Sequence, residues 1–155
     1  MPAIRRCERE ISVSIDVDAT CDAAWNALEP IEDHPRWMAD AVAIRFVGER
    51  TRGVGTEFLC DTKVGPLRLT DAMRITIWEP GTAMGVDHVG TVTGTGQFRL
   101  VPIDLGRRCR MTWSETLSFP WWMGGPIGAT IGARVLRSIW RRNLLTFREL
   151  LAGDS

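Results

Sequence analysis

From Pro126 to Leu151 the hydrophobic pattern takes a helical period, after a long stretch in which it runs with a period of two. At 100° per residue, Val135, Leu136, Ile139, Trp140, Phe147, Leu150 and Leu151 gather in one broad apolar arc. Arg134, Arg137, Ser138, Arg141, Arg148 and Glu149 fall on the opposite side. Such a helix is roughly twice the ~11-residue mean length, and it needs an extended apolar surface to lie on. The upstream chain is mostly strand-like, so that surface is a sheet.

The strands are legible from alternation. Ile11, Val13, Ile15 and Val17 share one face of Glu10 to Asp18, with Ser12, Ser14 and Asp16 on the other. Thr20 then stands as an N-cap before CDAAWNALEP, which predicts a short helix ending at Pro30, followed by a second short helix or turn through Ile31 to Met38. Turn residues at 53–55, 65–66, 80–81, 90 and 104–106 divide the chain beyond it into six strand-like runs, roughly 41–49, 55–64, 67–79, 82–89, 91–102 and 107–118. Connections this short favour an antiparallel meander.

A chain of 155 residues predicts a single domain, 1–155, with its core at about 10–151. Nineteen basic and nineteen acidic residues give zero formal charge, which argues against a dedicated nucleic-acid binder. Arg outnumbers Lys by eighteen to one, a bias that reads as codon usage in a GC-rich genome. Cys7, Cys21, Cys60 and Cys109 form no CxxC, and the N-terminal ten residues, with three Arg and two Glu, show no apolar signal. A cytosolic location with free thiols follows as an expectation. Thr116 to Ala133 is an uncharged run of 18 residues, but two prolines and four glycines argue against a membrane-spanning helix.

Strand, two short helices, six strands and a long C-terminal helix: in this order the sequence resembles the START-like or Bet v 1-like (SRPBCC) superfamily, and within it the polyketide cyclase/dehydrase and lipid-transport group. The resemblance runs from ISVSIDVDATCDAAWNAL through HPRWMADAVAIRFVGE and RITIWEPGTAM to MTWSETLSFPWWMGGPIG and RVLRSIWRRNLLTFRELL. It implies an α+β helix-grip fold, a curved seven-stranded antiparallel sheet wrapped around the C-terminal helix with a cavity between them. The superfamily holds binders, carriers and enzymes, so fold does not settle function.

A cavity directs attention to polar residues on inward faces. Asp71 interrupts Leu67, Leu69, Met73, Ile75 and Ile77; His88 follows Met84 and Val86; Glu115 interrupts Cys109, Met111, Trp113, Leu117 and Phe119. Asn143 is the one strongly polar residue near the centre of the helix arc. A buried carboxylate needs a donor, water or a ligand. A Glu115–His88 pair would suit acid/base chemistry near neutral pH, but all four residues suit a structural hydrogen-bond network better, and in a binder Glu115, His88, Asp71 and Asn143 would orient the ligand's polar groups. A one-residue slip would instead send Asp71 and His88 to solvent.

Met73, Met84, Phe98, Met111, Trp113, Leu136, Ile139 and Phe147 are the expected apolar contacts of a ligand. Trp25, Trp37, Trp78 and Trp140 read as core, and His34 as a surface or cap residue. The FPWWMGGPIG segment joins last strand to long helix. There Trp121 and Trp122 either form an apolar lip for ligand entry or peripheral membrane contact, or pack under the loop, and Gly124, Gly125 and Gly128 would let the lip move. No metal-ligand spacing or complete phosphate loop occurs, so neither metal nor cofactor is expected. Three functions stay open. The first is binding or transport of a hydrophobic lipid, polyketide-like or aromatic molecule; the second is a polyketide cyclase/dehydratase-type enzyme using Glu115, His88 and Asp71; the third is an interaction module docking through the Trp lip.

Overall fold

The computed structural model describes residues 3–153. Strand β1 (Arg6–Val17) leads into helix α1 (Cys21–Leu28), which is capped by Thr20 Oγ1 accepting from the Ala23 amide at 3.2 Å. A 3-10 turn, Ile31–Arg36, follows. Six strands come next: β2 (Ala41–Val47), β3 (Glu57–Val64), β4 (Leu67–Glu79), β5 (Ala83–Val89), β6 (Thr93–Ile103) and β7 (Arg108–Pro120). A short 3-10 turn at Trp121–Met123 then delivers the chain to α2 (Gly125–Gly153).

The sheet is seven-stranded and antiparallel, in the order β1-β7-β6-β5-β4-β3-β2. The meander expected from short connections spans β2 to β7. The first strand does not pair with the second: β1 lies beside β7 in unbroken register from Arg6↔Pro120 to Val17↔Cys109. It starts four residues earlier than its alternation suggests, because β7 is long enough to pair with the whole of it.

The alternation of β7 is realised in full, with Cys109, Met111, Trp113, Glu115, Leu117 and Phe119 all buried. On β4 it breaks. A bulge between Ile75 and Ile77 shifts the register, so Ile75 and Trp78 turn toward the interior while Ile77 covers Gly85 on the convex side. The expectation that Ile77 shares the face of Asp71 is therefore corrected, whereas the residues before the bulge keep their phase.

Helix α2 grips the concave face unevenly. Its C-terminal half buries Trp140, Leu144 and Phe147, and these meet Trp37, Phe98 and Trp113 in an aromatic cluster. Trp113 and Trp140 stack with ring centroids 4.5 Å apart, and Trp37 meets Phe147 edge-on at 5.0 Å. The N-terminal half presents Gly128, Ala129, Gly132 and Ala133 to the sheet. Small residues there leave space that the large ones further along fill, and a cavity opens under that half of the helix.

Candidate functional site

The cavity has a volume of about 300 Å³, at the lower end of the range of small-molecule pockets. Its wall is largely aliphatic and aromatic, drawn from β2 to β7, the 31–38 segment and α2. Five ionisable side chains other than cysteine interrupt it: His34, Asp40, Asp71, His88 and Glu115.

Glu115 is held from two sides. Trp113 Nε1 donates to its Oε1 at 2.8 Å, and His88 Nε2 lies 3.0 Å from its Oε2. The His88 contact has the length of an ion pair but not the alignment of a good hydrogen bond, so the ring nitrogen lacks a well-directed acceptor. Burial disfavours the charged imidazole, but the charge and close approach of Glu115, together with the charges of Asp71 and Asp87, outweigh it and raise the His88 pKa. The backbone makes room for the acid: Gly96 stands opposite Glu115 on β6, where a Cβ would come within 2.7 Å of Glu115 Cγ.

Asp71 is 7% exposed, and its Oδ1 has no hydrogen-bond partner. Burial raises its pKa, the nearby His88 lowers it and Glu115 raises it again. Gly90 lies against this carboxylate, and a Cβ there would sit 2.3 Å from Oδ1. Two glycines thus face two carboxylates, each removing a side chain that would occupy the acid's place.

His34 departs from its expected surface position. It is buried, lines the cavity and shares a hydrogen bond of 2.8 Å between Nε2 and the Leu28 carbonyl. Burial lowers its pKa to about 4, against the opposing pull of that bond and of Glu32 and Asp33. A 3-10 turn between Pro30 and Pro35 carries no period from which the inward orientation could be read.

Asn143 is buried, as its place in the helix arc suggests, but outside the cavity wall. Its Oδ1 accepts from the Ala39 amide at 3.0 Å and its Nδ2 donates to Asp40 Oδ1 at 2.7 Å, while Trp140 Nε1 donates to Asp40 Oδ2 at 3.4 Å. Burial raises the pKa of Asp40; the bonds from Asn143, its own backbone and Trp140 lower it, and Glu115 raises it. The helix is thereby tied to the segment that opens β2. Asp40 has no strand period of its own, and its one sequence signal is a lone acid in MADAVA.

Of the expected apolar contacts, Met73, Met84, Phe98, Trp113 and Leu136 line the cavity. Met111, Ile139 and Phe147 do not: Met111 and Phe147 are fully packed in the core beside it, and Ile139 packs against that core. Trp121 and Trp122 also stand outside the wall, at 44% and 68% exposed, while their neighbour Met123 lines it. Trp121 lies beneath the Arg5 guanidinium and against Gly125, so one indole is half packed and the other free. Gly124 and Gly125 take positive φ at the turn, and Gly128 has no space for a Cβ, which would come 2.2 Å from the Met123 carbonyl oxygen. These glycines meet a demand of the backbone.

A curved antiparallel sheet closed by one long helix over an apolar cavity with a few polar groups defines the START/Bet v 1-like helix-grip class. Residues 8–152 match the family described as polyketide cyclase / dehydrase and lipid transport, and the chain belongs to that family. Solved structures agree on the fold. A protein from Thermus thermophilus superposes with a TM-score of 0.82 at 11% identity, covering 95% of this chain and 99% of the other. The Zhui aromatase/cyclase from Streptomyces sp. R1128 gives 0.71 at 15%, covering 96% and 93%. A START superfamily protein from Mycobacterium smegmatis gives 0.77 at 9%, covering 94% and 99%. At these identities the likeness concerns fold alone. No curated protein matches the sequence significantly. Among the described residues no helix is long and apolar enough to cross a membrane, and no cluster of metal-binding side chains occurs.

Proposed function

We propose that the protein binds a hydrophobic small molecule, whether a lipid, a polyketide-like or an aromatic compound, between the sheet and α2. One observation carries this reading: an apolar cavity of about 300 Å³ lined by two buried acids, Asp71 and Glu115, and by the largely covered His88. Apolar walls supply affinity and the polar group sets orientation. Family membership supports the same reading. The test is organic extraction with mass spectrometry of the purified protein, followed by a thermal-shift screen in which Gly132→Leu serves as the blocked control. Gly132 lines the cavity, and a Cβ there would meet only Phe119 Cε1, at 4.0 Å. Leucine also favours the helix over glycine by roughly 1 kcal/mol. The variant keeps its fold and loses the ligand-induced shift; a shift that survives it unchanged overturns cavity binding.

The Glu115–His88 contact favours a second reading, an enzyme of the cyclase/dehydratase type. Glu115 or Asp71 removes an acidic proton beside a carbonyl, and His88 polarises the oxygen or returns the proton. Glu115→Gln then abolishes turnover while preserving ligand binding, and undiminished turnover removes Glu115 from the role of base.

A third reading, docking onto an anionic membrane surface, draws on the exposure of Trp122, Ile127 and Ile131 beside Arg134 and Arg141. Replacing Trp121 and Trp122 by alanine weakens association with phosphatidylserine vesicles on this reading, and unchanged association rejects it.

A further inference from the structure

The charged groups of the cavity are unbalanced. Asp40, Asp71 and Glu115 line it, and neither Lys nor Arg does. His34 adds no cation near neutral pH, because burial holds its pKa at about 4. His88, the one remaining base, already lies 3.0 Å from Glu115 Oε2, so its charge is offset there although its Nε2 has no well-directed acceptor. An incoming carboxylate, phosphate or sulfate would therefore meet acids with no free basic partner.

The polar capacity left open points the same way. Glu115 Oε1 is taken by Trp113, and both Asp40 oxygens are taken by Asn143 and Trp140. Asp71 Oδ1 is buried and unpartnered, and Gly90 leaves it the room it occupies. A buried oxygen without a partner is costly until a ligand group reaches it. A hydroxyl answers it in either protonation state, donating to the carboxylate or accepting from the acid.

We infer that the cavity selects an apolar molecule whose buried polar end is an uncharged hydroxyl, phenolic or aliphatic, engaged by Asp71, and that it discriminates against carboxylate-ended lipids. This rests on the cavity-binding reading above.

Two bicyclic probes of similar size test it by isothermal titration calorimetry at pH 7: 2-naphthol, which is neutral, and 2-naphthoate, which is an anion. The expected result is at least tenfold tighter binding of naphthol. Asp71→Asn, which keeps an acceptor, adds a donor and removes the charge, narrows that preference by strengthening naphthoate, and Asp71→Leu weakens naphthol about tenfold. Gly132→Leu abolishes binding of both probes. Naphthoate binding as tightly as naphthol, or a preference indifferent to Asp71→Asn, overturns the hydroxyl selectivity while leaving cavity binding intact. Failure of both probes to bind, or binding that Gly132→Leu does not disturb, overturns cavity binding and the selectivity with it.

Discussion

His88 Nε2 stands 3.0 Å from Glu115 Oε2, joining β5 to a strand two places away in the sheet. The two side chains meet across β6 because Gly96 opposes Glu115 there and Gly94 opposes His88, so no side chain intervenes. Removing the Glu115 charge removes the largest favourable influence on the imidazolium and leaves burial to act against it. Glu115→Gln accordingly lowers the His88 pKa, as read by NMR titration of its ring protons. The linkage has a definite sign. A histidine whose folded pKa is raised contributes stability below its unfolded value near 6.5 and loses that contribution as pH rises through the folded value. Chemical denaturation from pH 6 upward shows this fall, and Glu115→Gln flattens it.

His34 acts in the opposite sense and in another window. Its folded pKa of about 4 lies below the ordinary 6.5, so the unfolded chain takes the proton first and stability declines as pH falls between those values. At ~1.4 kcal/mol per pKa unit the loss approaches about 3 kcal/mol near pH 4. His34→Gln keeps a donor for the Leu28 carbonyl and does not titrate. The loss of stability on going from pH 7 to pH 4.5, read by denaturation, is smaller for that variant than for the parent protein.

Asn143 holds α2 to the start of β2 through the Ala39 amide and Asp40. Asn143→Ala leaves both groups without their partner and costs about 2–4 kcal/mol in denaturant unfolding. Asn143→Asp places a second acid against Asp40, whose pKa burial already raises. That variant is less stable at pH 7 than at pH 5, whereas the alanine variant shows no comparable recovery on acidification.

Cys21, half-buried at the start of α1, has its sulfur 2.7 Å from that of Cys109 on β7. Exposure to a small-molecule disulfide such as oxidised glutathione links the two sulfurs, with loss of both thiol protons and release of two reduced glutathiones. Non-reducing peptide mapping finds the 21–109 cross-link, and Cys109→Ser eliminates it. Closing a loop of this length stabilises by roughly 4 kcal/mol where geometry is unstrained, so the oxidised protein melts higher than the reduced one. A mixed disulfide retained on Cys21 alone would show that the sulfurs do not close.

The reach of pattern reading differed from element to element for physical reasons. Cys109 to Phe119 alternates without interruption in a strand paired on both sides, so periodicity placed Glu115 inward, and the structure agrees. Asp71 and His88 also kept the phase of their strands. Ile77 did not, because a bulge between it and Ile75 inverts the face and leaves no mark in the hydrophobic pattern. His34 and Asp40 lie where there is no period to follow, in a 3-10 turn and the segment after it: His34 is enclosed by Leu28, Trp37 and Phe98, and Asp40 is covered by Trp140 and Asn143 of α2.

By itself the sequence determined the element order, the inward acids on β4 and β7, and a helix needing a sheet to cover its apolar arc. These are local properties, written in periods of 2 and 3.6 and in turn residues. Only the tertiary structure decided that β1 pairs with β7, that Asn143 serves Asp40 and lies apart from the cavity, and that Phe147 packs while Leu136 lines open space. Each depends on which surfaces meet at long range. Where large side chains such as Trp140 and Phe147 face Trp37 and Trp113 the interior fills, and where Gly132 and Ala133 lie against the sheet a cavity remains.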